Sequence, residues 1–205
     1  MNKIFIGTVA ALAFGLTLAY ASTGATVVSW ESVRSHAVVG EQSLALSPLT
    51  AVTETRQGGL QKVVINFDSP VQKRPVYTHA RSLSTGILHR PTSTFLSDDG
   101  KRLELEYANL PDGACYKIDV NKRFDGLAET GDKAVYVKVL AGDVNGDGLV
   151  SGADVLKLKY VIGTTTDLAI YDVNRTGEVN LGDALFARFN MGHGVSCSEK
   201  PVTTR

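Results

Sequence analysis

The sequence predicts a mainly β fold followed by a small helical module at the C-terminal end. Between residues 60 and 140, short segments of alternating apolar and polar residues are separated by turn-forming residues, as in antiparallel strands. After residue 142, two segments rich in oxygen-bearing side chains are each followed by apolar residues at helical spacing. The length of 205 residues is enough for one or two domains.

The first 21 residues have the pattern of a secretory signal peptide. Lys3 precedes an apolar stretch, residues 4–18, and the Ala-Tyr-Ala sequence at 19–21 offers small residues for cleavage. The stretch is shorter than the ~20 residues that a membrane-spanning helix needs. We therefore expect a secreted protein, extracellular, on the cell surface or in the periplasm, with no membrane contact after cleavage.

Charge and cysteine content narrow the classes of function. The chain has 21 basic and 21 acidic residues, and loss of Lys3 with the signal peptide leaves a net charge of about −1. Such a balance predicts no binding of nucleic acid. Cys115 and Cys197 either pair in an oxidising compartment or remain separate thiols, and the sequence leaves both alternatives open.

Residues 22–141 are predicted to form a β-sandwich. The predicted strands are residues 61–67, 94–96, 102–107, 115–120 and 135–140. In the first of them, alternation places Val63, Ile65 and Phe67 on one face. Residues 26–59 fit the pattern less well and are predicted to be an edge strand or a capping segment.

Catalytic patterns are missing from the sequence of this β part, so we expect no enzyme. The histidines lie far apart, at His36, His79, His89 and His193. None has metalloprotease spacing, and there is no nucleophile elbow or glycine-rich phosphate loop. Two carboxylate pairs, at 98–99 and at 104 and 106, are better explained by a turn and by the polar face of a strand than by glycoside hydrolysis.

Two segments, loop 1 (residues 143–154) and loop 2 (residues 172–183), have the pattern of calcium-binding loops. Such loops supply oxygen ligands from positions 1, 3, 5, 7, 9 and 12 and turn at a glycine in position 6. The predicted ligands of loop 1 are Asp143, Asn145, Asp147, Leu149 through its carbonyl, Ser151 and Asp154. The predicted ligands of loop 2 are Asp172, Asn174, Thr176, Glu178 through its carbonyl, Asn180 and Asp183. The predicted cofactor is Ca²⁺.

Loop 2 is predicted to bind calcium more weakly than loop 1. Thr176 replaces a carboxylate at position 5, and Arg175 adds a positive charge. Affinity in these loops follows the charge of the ligands, and an empty loop 2 remains an alternative. Val150 and Val179, both at position 8, are predicted to pair as a short β-bridge.

Each loop leads into a predicted helix that ends at a glycine. The first covers residues 155–162 before Gly163, and the second covers residues 184–191 before Gly192. A predicted strand, with no helix, enters loop 1.

Residues 142–192 resemble a dockerin-type calcium module. The resemblance rests on Gly-Asp-Val-Asn-Gly-Asp-Gly-x-Val from Gly142, on Tyr-Asp-Val-Asn-x-x-Gly-x-Val from Tyr171, and on aspartate at position 12 of both loops. It implies that calcium stabilises the fold of the module. It also implies that the helices bind a cohesin domain, often in polysaccharide-degrading assemblies. Positions 10 and 11, a hydroxyl pair in many dockerins, are Gly-Ala and Leu-Gly here.

Residues 60–140 resemble bacterial immunoglobulin-like domains. The resemblance rests on Phe-Asp-x-Pro-Val from Phe67, an Asp-Gly hairpin turn, and Leu-Pro-Asp-Gly followed by Cys-Tyr-x-Ile. It implies an immunoglobulin-like β-sandwich before the calcium module.

The sequence thus predicts a secreted, non-catalytic, calcium-binding protein that attaches to a cohesin-like partner. One alternative is a structural exoprotein in which calcium serves stability alone. Another is a carbohydrate-binding accessory protein with a polysaccharide partner bound by tyrosines; the candidates are Tyr77, Tyr107, Tyr116 and Tyr136. Residues 193–205 are predicted to be a tail without an apolar anchor.

Overall fold

A computed structural model describes residues 24–73, 78–120, 123–129, 131–164 and 167–198. The predicted signal peptide lies outside these residues. Within them, no helix has both the length and the apolar character needed to cross a bilayer.

Strands form most of the regular structure in the described residues. The strands are β1 Val27–His36, β2 Gly40–Leu46, β3 Val52–Glu54, β4 Leu60–Phe67, β5 Gln72–Lys73, β6 Ala80–Ser82, β7 Leu88–His89, β8 Ser93–Leu96, β9 Arg102–Leu110, β10 Ala114–Asp119, β11 Phe124–Asp125 and β12 Ala134–Val139. The helices are α1 Gly152–Val161, α2 Leu168–Tyr171 and α3 Leu181–Phe189. This order confirms a mainly β chain with its helices at the C-terminal end. We call the part that carries the strands the β region and residues 142–192 the C-terminal module.

Ten strands form two five-stranded sheets. Sheet 1 has the order β2-β1-β4-β9-β8, and all its neighbouring strands are antiparallel. Sheet 2 has the order β3-β12-β10-β6-β7, in which only the pair of β12 and β3 is parallel. The short strands β5 and β11 pair with each other.

A single apolar core joins the two sheets. Val63, Ile65 and Phe67 of sheet 1 are buried, as their alternation predicts. They belong to the same apolar cluster as Tyr116 and Val137 of sheet 2. Burial of these side chains is the main stabilising contribution to the β region.

Strand β1 differs from the predicted edge strand or capping segment. It is an inner strand that pairs with β2 on one side and with β4 on the other. Trp30 of β1 lies in the apolar core, but Ser32, Arg34 and His36, at alternate positions after it, are buried polar residues. An inner strand with polar inward positions lacks the usual alternation, so the sequence pattern did not reveal it.

The C-terminal module contains both predicted helices and has its own small apolar core. Ser151 caps α1 by accepting a hydrogen bond from the backbone N–H of Ala153 at 3.1 Å, and Asn180 caps α3 by accepting one from Gly182 at 2.7 Å. Leu158 is among the buried residues that join the helices to the loops. The short helix α2 was not predicted.

The residues after the module pair with loop 1. Val150 donates its backbone N–H to His193 at 2.8 Å, and Leu149 forms a β-bridge with Gly194. The predicted bridge between Val150 and Val179 is therefore wrong, because the returning chain occupies this edge of loop 1.

The two cysteines form a disulfide. Cys115 lies in β10 and Cys197 follows α3, and their Cα atoms are 5.2 Å apart. The bond fixes the end of the C-terminal module to sheet 2, and closing a loop between residues 82 positions apart stabilises the folded chain.

Candidate metal centre

The carboxylates at positions 1 and 12 of both loops are buried. Their residues, each 0% exposed, are Asp143, Asp154, Asp172 and Asp183. In loop 1 the position-3 and position-5 residues, Asn145 and Asp147, are exposed. Each loop therefore places negative charge at its base and leaves further oxygen atoms near solvent.

Backbone N–H groups hold the buried carboxylates of loop 1. Asp143 accepts from Gly146 through Oδ1 and from Gly148 through Oδ2, both at 2.9 Å. Asp154 accepts from Asn145 through Oδ1 at 3.1 Å and from Ser151 through Oδ2 at 2.8 Å. The first and last predicted ligands are thus tied to the same turn of chain.

Loop 2 repeats this arrangement. Asp172 accepts from Thr176 through Oδ1 at 2.9 Å and from Gly177 through Oδ2 at 2.7 Å. Asp183 accepts from Asn174 at 3.1 Å and from Asn180 at 2.8 Å. Loop 2 thus holds its first and last carboxylates much as loop 1 does, although Thr176 replaces a carboxylate at position 5.

Burial raises the pKa of one carboxyl in each loop. For Asp143 the loss of solvent raises the pKa above the ordinary 3.8, and the charge of Asp154 acts in the same direction. For Asp183 burial again raises the pKa, and the charge of Asp172 adds to it. Buried carboxylates of like charge are costly without a cation between them.

The donor set fits a hard divalent cation. Position 5 lies beside position 3 in both loops, since Asn145 Nδ2 donates to Asp147 at 2.8 Å and Thr176 Oγ1 donates to Asn174 at 3.0 Å. The described residues contain no group of three or more His, Cys, Asp or Glu side chains that could hold a metal ion. Amide, hydroxyl and carbonyl oxygens would therefore complete each site, which is the oxygen-rich chemistry that calcium prefers.

The remaining predicted ligands have structural partners. Ser151 and Asn180, at position 9, are the N-caps of α1 and α3. At position 7, Leu149 lies in the bridge to Gly194, and the carbonyl of Glu178 accepts from the hydroxyl of Thr176 at 3.4 Å.

Two side chains of the β region contact the loop carboxylates, and the sequence did not reveal either of them. Thr53 donates its hydroxyl to Oδ2 of Asp143 at 2.9 Å. The Nδ1–H of His36 donates to Oδ2 of Asp172 at 2.6 Å. These pairs are 90 and 136 residues apart, so no local spacing connects them.

Further bonds join the module to a junction segment, which we define as residues 52–57. Thr55 accepts from the backbone N–H of Gly142 at 2.9 Å, and its hydroxyl donates to the carbonyl of Ile170 at 2.8 Å. Gln57 donates its backbone N–H to Val173 at 2.8 Å. The module is thus attached to the β region at both loops.

The turn between β1 and β2 makes a second attachment, at loop 2. Ala37 donates its backbone N–H to the carbonyl of Arg175 at 2.9 Å, and Arg175 Nη1 donates to the carbonyl of Ser35 at 3.2 Å. Arg175 has a positive φ of 60° at position 4. Its positive charge thus forms part of the contact with the β region.

Exposed apolar side chains lie on α1, on α3 and just after α3, and the two helices contact each other. These residues, here called the helix face, are Leu156, Tyr160, Leu181, Leu185, Phe189 and Met191. Tyr160 and Phe189 are 84% and 85% exposed. A groove of about 370 Å³ between the helices is lined by residues that include Val155, Leu156, Arg188 and Met191.

Comparison with known families identifies this module. Residues 141–187 match the dockerin type I domain. The match confirms the resemblance predicted for the C-terminal part of the chain. Dockerin type I domains bind calcium, and dockerin domains bind cohesin domains. The dockerin module is a non-catalytic attachment module.

The chain also has matches among solved structures. Among the solved structures that match is that of the S-layer protein rSbsC(31-844), at 15% sequence identity and a TM-score of 0.33. The match covers 44% of this chain and 13% of that one. No curated protein matches the chain.

The tyrosines considered for a sugar-binding face are mostly internal. Tyr107 and Tyr116 belong to the apolar core, and burial raises the pKa of Tyr116 to about 12. Tyr136 is half-buried beneath the ammonium group of Lys117, 5.7 Å from the ring centre. Tyr77 lies outside the described residues.

Proposed function

We propose that this chain is a secreted, non-catalytic attachment protein whose dockerin module binds a cohesin-like domain and uses calcium for its fold. The family match to the dockerin type I domain supports the assignment of the module. The observation that carries the proposal is the helix face, because large apolar side chains remain exposed beside folded loops. Exposed contiguous apolar residues mark interaction surfaces.

The helix face has the composition of a binding interface. Its aromatic side chains, Tyr160 and Phe189, are the kind that contribute most to binding energy. Lys159 and Arg188 line the groove beside them and supply a polar rim. Loops 1 and 2 of the module already contact the β region, whereas the residues of the helix face are exposed.

Calcium would be held by the ligands proposed above in each loop. Support comes from four buried carboxylates whose positions repeat between the loops. Because the sites form only in the folded chain, binding of calcium would add to the free energy of unfolding.

We also propose an immunoglobulin-like β-sandwich for residues 22–141, with the dockerin module beginning at 142. Two mainly antiparallel sheets around one core support this architecture. The apolar start of the sequence and the disulfide between Cys115 and Cys197 support export to an oxidising compartment, as an extracellular, cell-surface or periplasmic protein. Membership of a polysaccharide-degrading or cell-surface assembly is part of the same proposal.

A binding assay with a panel of purified type I cohesin domains tests the attachment function. The full mature chain is immobilised, and each cohesin is applied with calcium or with a chelator. We expect at least one cohesin to bind with calcium and binding to be lost with the chelator.

A matched pair of variants tests the surface. Leu156→Asp places a charge on the helix face, and Leu49→Asp makes the same change at another exposed leucine, 83% exposed, in the β region. We expect the first to weaken cohesin binding by roughly a hundredfold and the second to leave it unchanged. Equal effects of the two variants would reject the helix face as the docking surface.

A structural role is the second candidate, favoured by the contacts that fix the module to the β region. It predicts that calcium raises the melting temperature while no cohesin in the panel binds. That combined result would replace the attachment function with the structural one.

A further inference from the structure

In both loops, the carboxylate at position 1 accepts a hydrogen bond from a side chain of the β region. Thr53 donates to Asp143, and His36 donates to Asp172. All four residues are buried.

The two contacts are equivalent at the level of single atoms. In each loop, Oδ2 of the position-1 aspartate receives the N–H of the position-6 glycine and the donor from the β region. Oδ1 receives one backbone N–H in each case. A carboxylate held through two bonds to Oδ2 cannot rotate freely, so the direction of Oδ1 is fixed.

Both donor residues, His36 and Thr53, lie in strands of the two sheets. His36 is the last residue of β1 and pairs with Gly40 of β2, while Thr53 pairs with Lys138 of β12. The Nε2 atom of His36 is buried without a hydrogen-bond partner among the described residues. The contact with Asp172 is therefore the polar contact that orients the ring.

We propose that Thr53 and His36 are positioning residues of the two calcium sites, so that the β region completes the dockerin module. This inference rests on the proposed binding of calcium in both loops. Partners that orient a ligand from outside the coordination shell commonly contribute 10–100-fold in metal affinity. The β region is then part of the calcium-binding unit.

The proposal makes calcium binding and these two donor contacts mutually dependent. If Thr53 and His36 orient the carboxylates, calcium in turn strengthens these two hydrogen bonds, because coupling between two equilibria is reciprocal. Each loop depends on a different strand, so the two couplings are separable.

Calcium titration by calorimetry on the full mature chain tests this. Asp154→Ala and Asp183→Ala first assign the binding steps to loop 1 and loop 2. Thr53→Val removes the hydroxyl with little change of shape, and we expect roughly tenfold weaker binding at loop 1 alone. His36→Leu removes the ring donor, and we expect roughly tenfold weaker binding at loop 2 alone.

Conservative variants and a matched control separate positioning from general stability. Thr53→Ser keeps the hydroxyl and His36→Asn keeps an N–H donor, so both should recover most of the affinity. Thr55→Val removes a hydroxyl from the same junction whose partner is the carbonyl of Ile170, and it should leave both affinities unchanged.

Hydrogen exchange on the unmodified chain gives a readout that does not depend on the folding of variants. Adding calcium to the chelated protein should increase protection of the β-region residues around 36 and 53. No change at these residues would overturn the proposal.

The outcomes distinguish this inference from the function on which it rests. If the unmodified chain binds no calcium, the proposed calcium sites fail. If calcium binds but Thr53→Val and His36→Leu leave both affinities unchanged, the sites stand and the positioning role is overturned. A loss of melting temperature without a loss of affinity would also overturn it.

Discussion

Loop 1 and loop 2 reach a similar hydrogen-bond pattern by different means. Loop 1 has three carboxylates among its predicted ligands and a glycine, Gly146, at position 4 with a φ of 76°. Loop 2 has two carboxylates among its predicted ligands and places Arg175 in the left-handed region at position 4. A non-glycine residue there costs roughly 1–2 kcal/mol, and the contacts of Arg175 with Ser35 and Ala37 offset that cost.

The surroundings of the loops differ as well. Loop 1 is bordered by the returning chain at Gly194 and, nearby, by the disulfide at Cys197. Loop 2 instead lies against the turn between β1 and β2. Both loops contact the β region, but loop 1 also has a third carboxylate and the disulfide nearby, so loop 2 depends more on those contacts. The following predictions test that contrast.

Removal of calcium should have the largest effect and should affect the loops unequally. Each site filled at about 1,000 times its Kd adds about 4 kcal/mol to the free energy of unfolding. Chelation should lower the melting temperature accordingly, and hydrogen exchange should increase more in loop 1, whose predicted site is tighter and whose three carboxylates would lose their cation, than in loop 2. Equal increases of exchange in the two loops would show that they do not differ in their dependence on calcium.

Gly177→Ala should loosen loop 2 from the β region. A Cβ at Gly177 would lie 2.3 Å from the carbonyl oxygen of Ala37, at a φ of 93°. Gly192→Ala is the matched control, with a φ of 92° and no neighbouring atom within 4 Å of its added Cβ. Both changes share the left-handed penalty, so Gly177→Ala should cost about 2 kcal/mol more in urea unfolding.

One outcome would contradict the prediction for Gly177→Ala. If the two alanine variants unfold at the same urea concentration, the close contact of loop 2 with Ala37 does not stabilise the chain. We would then conclude that loop 2 does not depend on this contact with the β region for its stability.

Exchanging the position-5 residues should narrow or reverse the difference in affinity. Thr176→Asp adds a carboxylate to loop 2 and should tighten its calcium binding by roughly tenfold, about 1.4 kcal/mol. Asp147→Thr makes the opposite change in loop 1 and should weaken it by a similar factor. Calorimetry on the unmodified chain should show loop 1 as the tighter site; two equal sites would contradict the predicted ranking.

The stabilisation by calcium should decrease gradually as the pH falls from neutral. The folded-state pKa values of Asp143 and Asp183 are raised above 3.8, so the metal-free fold binds these protons more tightly than the unfolded chain. The metal-free fold therefore loses stability as the pH rises through the raised pKa values. Calcium favours the ionised carboxylates, so its contribution grows in the same direction.

Melting curves with calcium and with a chelator, recorded across this pH range, measure the effect. The difference between the two melting temperatures should shrink toward the raised pKa values. A difference that stays constant with pH would show that protons and calcium do not compete for these carboxylates.

The local features of the chain could be predicted because they depend on neighbouring residues. The alternation of Val63, Ile65 and Phe67 predicted their burial in β4. The spacing of the acidic and amide residues predicted both loops, and the apolar residues after them predicted α1 and α3. These signals repeat within a few residues, so one stretch of sequence contains all that is needed.

The errors came from contacts between distant residues. The polar inward face of β1 did not look like an inner strand, because its partners Glu54 and Asp172 lie far along the chain. The bridge expected between Val150 and Val179 failed because residues 193 and 194 return to loop 1. The spacing of apolar residues along the sequence cannot predict contacts between residues that lie so far apart.

The sequence by itself determined the dockerin resemblance, five strands of the β region, the helices α1 and α3, and the spacing of the predicted calcium ligands. Only the tertiary structure decided that Cys115 pairs with Cys197 and that Thr53 and His36 meet the first carboxylate of each loop. The reason is physical: ligand spacing is a property of a short stretch of chain, whereas the direction of a buried carboxylate depends on whatever donor the rest of the fold brings beside it.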